Sequence, residues 1–258
     1  MGRLDGKVVF LTGGGGAIAR GMIAALGREG AAIAIAELQA ERAGEAAKAA
    51  ASQGIRALGL EVDVRRRDQV DAAVARTVDE LGGVHVLINN ATGVTMEATN
   101  LPFVDHDEAT FDRILAVDVK GTVACMQACF PHFERQGHGK VINFSSGAGT
   151  ERMAGFAAYA AAKEGVRAIT GVAAREWGPL GINVNVVCPS AMTDGLQHFI
   201  DTHPDPSYRE QVIGDRPIRR LGDTELDIGR VVVFLASEES DYLTGHTFWV
   251  DGGGSIHA

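Results

Sequence analysis

Short apolar runs alternate with helical patterns along the whole chain. Runs rich in Val, Ile and Ala indicate strands buried on both faces, whereas apolar residues at helical spacing indicate amphipathic helices. The predicted strands are Val8–Leu11, Ala32–Ala36, Ala57–Glu61, Val86–Asn89, Lys140–Phe144, Ile182–Val187 and Thr247–Val250. The predicted helices are Ala17–Glu29, Ala40–Gln53, Asp68–Leu81, Ala109–Arg135, Ala157–Trp177 and Glu225–Ala236. This alternation predicts an α/β fold, with a seven-stranded, mostly parallel sheet covered by helices on both faces.

Composition favours one domain over residues 1–258. The chain is 46% hydrophobic and 22% charged, and no repeat or low-complexity linker divides it. The segment 190–217, between the sixth strand and the last helix, has no predicted secondary structure. Because unstructured segments of this length often cover a binding site, we expect it to be a substrate lid.

Charge and cysteine content exclude several classes of protein. The net charge of −9 argues against nucleic acid or an anionic membrane as a partner. No apolar run reaches the roughly 18 residues needed to span a bilayer, and no signal-peptide pattern precedes the first strand. The three cysteines and eight histidines show no metal-ligand spacing, so we expect no metal site. An odd number of cysteines predicts buried, reduced thiols and a cytoplasmic protein.

The candidate chemistry follows the strand Lys140–Phe144. Ser146 stands at the end of that strand, and Tyr159 lies in the first turns of the next helix, with Lys163 one turn later on the same face. An ammonium held beside a phenol favours the ionised phenolate, which is a proton acceptor. The three residues therefore predict a base with a hydroxyl nearby to hold a substrate oxygen. The alternative is an unrelated surface Tyr and Lys, which this spacing alone does not exclude.

A glycine run after the first strand predicts a coenzyme site. Gly13 to Gly16 stand between a strand and a helix, where glycines let the backbone approach a pyrophosphate at the helix N-terminus. Glu37 ends the second strand, where an acid can accept both ribose hydroxyls of adenosine and repel a 2′-phosphate. The coenzyme predicted from Glu37 is NAD. A flexible turn and a helix-capping acid are the alternatives for these two features.

In this order, the motifs resemble those of the short-chain dehydrogenase/reductase family, from Lys7 to Gly253. The matching features are Thr12-Gly13 with the glycines that follow, Asp63-Val64, Asn89-Asn90-Ala91, Ser146 with Tyr159 and Lys163, Pro189, and Val250-Asp251-Gly252-Gly253. The spacing of thirteen residues to Tyr159 selects Ser146 over Ser145.

The resemblance implies a Rossmann-like, doubly wound fold and hydride transfer between NAD and a secondary alcohol or its ketone. It implies that Tyr159 is the base, that Ser146 binds the substrate oxygen and that Lys163 holds the nicotinamide ribose. The coenzyme contacts are then expected at Gly13, Gly15, Gly16, Ala17, Ile18, Glu37, Asp63, Val64, Asn90, Tyr159, Lys163, Pro189, Met192 and Thr193. It also implies a homotetramer.

Three apolar residues near these motifs are candidate substrate contacts. Met153 and Phe156 lie between Ser146 and Tyr159, and Leu196 lies in the predicted lid. Such side chains favour a mostly apolar or cyclic substrate. Ordinary core packing is the alternative for each of them.

The chain departs from the family pattern at several positions. Ala17 and Ala19 replace two loop glycines, Thr92 and Ser190 replace two further glycines, and Asp194 stands where a Thr is expected beside Thr193. Asp118 replaces the Asn of the family's catalytic tetrad. Since the backbone carbonyl holds the relay water there, we expect Asp118 to be tolerated. As a buried carboxylate it would need hydrogen-bond donors of its own.

Two other functions remain open at this stage. An NADPH-dependent ketone or 3-oxoacyl-thioester reductase of the same family would carry Arg or Lys in the glycine loop or after the second strand, and segments 13–19 and 38–41 contain neither. A non-catalytic nucleotide-binding module is the other, and retention of Ser146, Tyr159 and Lys163 together argues against it.

Overall fold

A computed structural model describes residues 2–95 and 98–256 of the chain. Within them, one seven-stranded sheet has the strand order β3-β2-β1-β4-β5-β6-β7, and every neighbouring pair is parallel. The strands are β1 Val8–Thr12, β2 Ala32–Glu37, β3 Ala57–Glu61, β4 Val86–Asn89, β5 Gly139–Phe144, β6 Ile182–Pro189 and β7 Thr247–Val250. All seven predicted strands are confirmed. The sheet is wholly rather than mostly parallel.

Helices cover both faces of the sheet. They are α1 Ala17–Arg28, α2 Ala40–Ser52, α3 Arg67–Leu81, α4 Glu108–Ile114, α5 Thr122–Gln136, α6 Gly147–Thr150, α7 Ala157–Trp177, α8 Asp194–Thr202, α9 Tyr208–Ile213 and α10 Arg230–Ala236. The single helix predicted over 109–135 is wrong in one respect, because a π-helical turn, Leu115–Gly121, joins α4 to α5. A second π-helical turn, Thr224–Gly229, precedes α10. The apolar pattern runs on through a π turn, so periodicity does not reveal it.

The segment 190–217 is not structureless, contrary to the sequence-based expectation. It forms α8 and α9, and the Thr193 hydroxyl caps α8 by accepting a hydrogen bond from the Leu196 N–H at 3.2 Å. The two ends of the segment meet beside β6, where Arg216 Nη2 donates to Ser190 Oγ at 3.0 Å. Ser190 stands where the family pattern has a glycine, and its hydroxyl group anchors the C-terminal end of the segment through Arg216.

Two apolar cores fill the space between the sheet and its helices. On one face, Phe10 and Val184 pack with Cys125 and Phe133 of α5. On the other face, Leu11 packs with Met22 of α1 and with Val232 of α10. The sequence order turns back between β1 and β4, so their carboxyl ends border a crevice. In open parallel sheets, this crevice is where ligands bind.

The three cysteines are buried and free, as expected. Burial raises the pKa of the Cys125 thiol to about 12 and that of Cys188 to about 11. Because the thiolate is the reactive form, these groups are held in an unreactive state at neutral pH.

Among the described residues, the helical segment Glu108–Gln136 is the one long and apolar enough to cross a membrane. Its residues Cys129 and Phe133 are fully buried against the sheet. This burial is typical of a core helix.

Candidate active site

The glycine loop is fixed to the end of β4. Gly13 has a φ of +64°, and a Cβ there would lie 2.8 Å from Ala91 Cα. Asn90 Nδ2 donates to the Gly13 carbonyl at 3.0 Å, and the Asn90 N–H donates to Thr12 Oγ1 at 3.1 Å. Only glycine fits this position without strain.

A cleft of about 750 Å³ opens at this edge of the sheet. Nine of the predicted coenzyme contacts line it, namely Gly13, Gly16, Ala17, Ile18, Glu37, Asp63, Val64, Asn90 and Thr193. Gly15 lines an adjoining cavity, Met192 lines another beside Thr193, and Pro189 ends β6. The N-terminus of α1, the close backbone at Gly13 and an acid at the far end fit a dinucleotide.

The buried carboxylate of Glu37 is hydrogen-bonded to the glycine loop. One carboxylate oxygen accepts from the Gly15 N–H at 3.0 Å, and the other accepts from the Leu38 N–H at 2.9 Å. The side chain does not cap α2, whose N-cap residue is Gln39. Each oxygen has a further lone pair, so the carboxylate can accept additional hydrogen bonds.

Arg42 is a site residue that the sequence analysis missed. Its Nη2 donates to the Gly15 carbonyl at 2.8 Å, and a Cβ on Gly15 would lie 3.1 Å from Arg42 Nε. It lies one residue beyond the segment 38–41, which contains no basic side chain. Because α2 runs back past the glycine loop, side chains in its first turn can reach that loop. A basic residue in the first helical turn after β2 was therefore the sequence signal for Arg42.

Asp63 lines the cleft but already has a charged partner. Arg65 donates to both of its carboxylate oxygens, with a shortest distance of 2.6 Å. These hydrogen bonds hold the pKa of the Asp63 carboxyl below its usual range. Its negative charge is thus largely offset within its own loop.

Thr193 and Asp194, at the start of α8, have different surroundings. Thr193 lines the coenzyme cleft, whereas the exposed carboxylate of Asp194 pairs with Arg20 of α1. Thr193 is therefore the better match to the family's nicotinamide-contacting Thr, a choice that the sequence left open.

The two serines after β5 have different surroundings. Ser145 is buried, and its hydroxyl donates to the Lys163 carbonyl at 2.9 Å. Ser146 is half-buried and caps α6, with Oγ accepting from the Ala148 N–H at 3.1 Å. Because this hydroxyl is used as an acceptor, its hydrogen can still be donated to a substrate oxygen. These surroundings favour Ser146 over Ser145.

Lys163 is a buried cation beside Tyr159. Its Nζ lies 5.4 Å from the centre of the Tyr159 ring and donates to the Phe144 carbonyl at 3.1 Å. It also forms an ion pair with Asp118 Oδ1 at 2.9 Å. Burial by itself lowers the pKa of the Lys163 ammonium, but the acidic groups of Tyr159 and Asp118 outweigh it and the pKa is raised.

Asp118 lies in the π-helical turn and is 1% exposed. Its side chain is therefore part of the protein interior rather than of a solvated helix face. Thr92 Oγ1 donates to its carboxylate at 2.9 Å, and the Gly93 N–H donates at 2.6 Å. Its backbone carbonyl accepts from Thr122 Oγ1 at 2.7 Å. The carboxylate thus has the donors that a buried anion requires.

Two of the three candidate substrate residues, Met153 and Phe156, lie on the loop before α7, and Leu196 lies in α8. The Phe156 ring centre is 6.4 Å from that of Tyr159. Met153, on the loop before α7, is 49% exposed, so core packing does not explain it. Leu196 is half-buried in the first turn of α8.

The chain matches the family model described as "Enoyl-(Acyl carrier protein) reductase" over residues 15–255. It belongs to the short-chain dehydrogenase/reductase family. A similar protein is a 12alpha-hydroxysteroid dehydrogenase of Clostridium sp., 40% identical over 98% of each chain. Another is the 3-oxoacyl-[acyl-carrier-protein] reductase FabG of Staphylococcus aureus, 34% identical over 96% of this chain and 97% of that protein. The crystal structure of NAD+-bound xylitol dehydrogenase has a TM-score of 0.87 and 30% identity, covering 97% of this chain and 99% of that one.

These relatives confirm the predicted dehydrogenase/reductase activity. The protein is an oxidoreductase that transfers a hydride between a nicotinamide coenzyme and a secondary alcohol or its ketone. The Rossmann-like fold that the resemblance implied is likewise confirmed.

Proposed function

We propose that Tyr159, Ser146 and Lys163 carry out the oxidation of a secondary alcohol with NAD. The observation that supports this assignment is the buried Lys163 ammonium, held 5.4 Å from the centre of the Tyr159 ring. A fixed positive charge favours the phenolate form of a nearby tyrosine, which can then accept a proton.

Each side chain has one role in this mechanism. Ser146 donates a hydrogen bond to the substrate oxygen, and Tyr159 accepts the hydroxyl proton. The nicotinamide, when bound, supplies the hydride acceptor. Lys163 has three N–H donors, of which Phe144 and Asp118 take two. The third is left for a coenzyme ribose hydroxyl or for a water that carries the proton to solvent.

Glu37 supports NAD as the preferred coenzyme. The carboxylate stands at the end of β2, where a 2′-phosphate would meet like charge. Arg42 favours a second candidate, an NADP-dependent ketone reductase, because its guanidinium reaches the same glycine loop. Glu37 lies at the end of the strand and is 8% exposed. We assign the choice to Glu37 because desolvation strengthens its repulsion of a phosphate.

We further propose that residues 1–258 act as a single domain, with α8 and α9 as a lid. The lid lies between Thr193, which lines the coenzyme cleft, and Arg216, which is held by Ser190. Its helices can open for substrate entry while both ends stay anchored. The buried, unpaired cysteines and the acidic surface support a cytoplasmic location.

A homotetramer is the proposed assembly. The outer face of α7 carries the exposed small and apolar residues Ala161, Ala168 and Val172, at helical spacing. β7 is the last strand of the sheet, so its outer edge can meet a second copy.

A coenzyme-reduction assay tests the proposed function. The protein is mixed with NAD or NADP and a panel of secondary alcohols and polyols, and absorbance of the reduced nicotinamide is followed. We expect reduction by at least one alcohol, with a higher kcat/KM for NAD. A protein that binds either coenzyme but reduces it with no alcohol, and oxidises it with no ketone, would instead be a binding module.

A further inference from the structure

The carboxylate of Asp118 lies directly behind the wall of the coenzyme cleft. Thr92 and Gly93 line the cleft. The carboxylate accepts a hydrogen bond from Thr92 Oγ1 at 2.9 Å and another from the Gly93 N–H at 2.6 Å. The Asp118 side chain has no exposed surface of its own. A single layer of residues therefore separates this charge from the space that a dinucleotide would fill.

Asp118 and Lys163 form a buried ion pair whose charges cancel. Lys163 Nζ lies 2.9 Å from Asp118 Oδ1, and the lysine side chain is 4% exposed. Burial by itself lowers the pKa of the Lys163 ammonium, but Tyr159 and Asp118 raise the pKa overall, so the ammonium keeps its charge at neutral pH. Cys188 also faces Lys163, and it is uncharged at neutral pH because burial raises its pKa to about 11. With the uncharged Asn of the family pattern in place of Asp118, the ammonium would have no such counter-charge.

The net charge of this pair bears on one part of the coenzyme. The nicotinamide ring is positively charged in NAD+ and neutral in NADH, whereas the rest of the dinucleotide is the same in both. A buried ammonium without a counter-charge repels the oxidised ring and has no such effect on the reduced ring. A buried carboxylate beside the ammonium removes this repulsion. Because all other contacts cancel, the ratio of the two dissociation constants reports the net charge beside the nicotinamide.

We propose that Asp118, held in place by Thr92, raises the affinity of the site for NAD+ relative to NADH and so favours alcohol oxidation. This inference rests on the proposed function, which assigns Lys163 to the nicotinamide ribose, and it adds the direction of the reaction. When both forms of the coenzyme are present, a larger share of the sites then holds NAD+, and NADH is released more readily. Both effects suit the oxidation of an alcohol rather than the reduction of a ketone.

The experiment measures the dissociation constants of NAD+ and NADH by calorimetric titration, without substrate. The reference protein is Tyr159→Phe, so that ionisation of the phenol does not contribute. Asp118→Asn and the control Asp63→Asn are each added to this reference. Since an amide cannot accept from every donor around position 118, the double change Thr92→Gly/Asp118→Asn, which has the residues of the family pattern, repeats the test. Thermal unfolding confirms that each protein is folded.

The control removes the same charge at the opposite end of the same cleft. Asp63 lines the cleft just beyond β3, whereas Lys163 donates to the Phe144 carbonyl at the end of β5. The strand order β3-β2-β1-β4-β5 places four strand spacings, about 19 Å in all, between the two ends. The charge of Asp63 therefore acts almost equally on the two forms of the coenzyme.

We expect Asp118→Asn, alone and with Thr92→Gly, to weaken the binding of NAD+ relative to NADH by about tenfold, the size expected for one unit charge in a partly buried site. Asp63→Asn should keep the ratio of the reference protein. An unchanged ratio in both Asp118 variants, or an equal change in the control, would overturn the inference and leave the proposed function standing. A parent that binds neither form, or binds both and turns over no alcohol, would overturn the proposed function and this inference with it.

Discussion

Thr92 donates its hydroxyl hydrogen bond to Asp118 across 2.9 Å, and both residues depart from the family pattern. The expected residues were a glycine and an asparagine. An aspartate alone would place an uncompensated charge in the interior, which costs several kcal/mol. Thr92, the Gly93 N–H and the Lys163 ammonium supply three donors to that charge. The two departures are therefore one compensated change.

Asp118→Asn should move the pH–rate profile of alcohol oxidation to lower pH. The substitution removes a negative charge 2.9 Å from Lys163, so the ammonium acts on Tyr159 with less opposition. The groups facing Lys163 are Tyr159 on its own helix, Asp118 from the π-helical turn and Cys188 from β6. Only a modest change in the maximal rate is expected, because the three catalytic residues remain.

The measurement is kcat/KM for oxidation between pH 6 and pH 10, in the parent and in Asp118→Asn. Thr92→Ser is the matched control, because serine keeps the donor to Asp118 and should keep the parent's profile. An Asn variant whose profile superimposes on the parent's would show that Asp118 does not act on Tyr159 through Lys163.

Tyr159→Phe should remove turnover without removing coenzyme binding. The loss of a positioned acid–base group costs about 10²–10⁴ in rate, whereas Lys163 and the glycine loop remain to bind the dinucleotide. Stopped-flow rates and calorimetric titration with NAD test the two parts separately. Tyr242→Phe, on the exposed tyrosine far from the site, should behave as the parent does. A Tyr159→Phe variant that keeps much of the parent's activity would remove the phenol from the mechanism.

Coenzyme choice should respond in opposite directions to two substitutions. Glu37→Ala removes the repulsion of a 2′-phosphate and should narrow the preference for NAD over NADP. Arg42→Ala removes a cation that could pair with that phosphate, so the preference should widen. The ratio of kcat/KM for the two coenzymes is the readout. Equal use of both coenzymes by the parent would refute the assignment to Glu37.

The stacked imidazoles of His85 and His138 should make the fold sensitive to acid. Their ring centres are 5.9 Å apart at the amino ends of the strands. Burial lowers the pKa of His85, and the charges of His138 and Lys7 lower it further. Burial and the charge of Lys7 also lower the pKa of His138. Both folded-state pKa values lie below the unfolded value near 6.5. The contribution of the two neutral imidazoles to the free energy of unfolding is therefore fully present above about pH 6.5. It is lost as the pH falls through the folded-state values.

Urea unfolding at pH 7.5 and pH 5.5 measures this loss. His138→Gln should reduce the loss, since one imidazole no longer titrates and its repulsion of His85 disappears. His85 is unsuitable for the test because its Nδ1 accepts from the Val8 N–H at 3.0 Å. A variant that loses as much stability as the parent over this range would contradict the prediction.

The assembly should be a tetramer of about four times the 27.1 kDa chain mass. Val172→Glu places a charge on the exposed face of α7, and we expect it to lower the mass by disrupting an apolar contact. Light scattering at micromolar concentration gives the result for the parent and the variant. A parent with the mass of one chain would refute the proposal.

The sequence by itself determined the architecture. The succession of seven strands and their intervening helices along the chain follows from local apolar periodicity. Neighbouring residues encode that pattern. Ser146, Tyr159 and Lys163 could be found from their spacing and from the family resemblance, because all three lie on one strand–helix unit.

Only the tertiary structure decided what surrounds those residues. Thr92 and Asp118 are far apart in sequence, as are Gly15 and Arg42, and their hydrogen bonds form because separate elements meet at the carboxyl edge of the sheet. The π-helical turn that turns Asp118 inward interrupts no apolar pattern, so the sequence showed one straight helix. Phe103 has the side chain of a typical core residue, yet it is 79% exposed in the folded chain. The physical reason is that periodicity reports which face of an element is buried, whereas hydrogen-bond partners and exposure depend on contacts between elements distant in the chain.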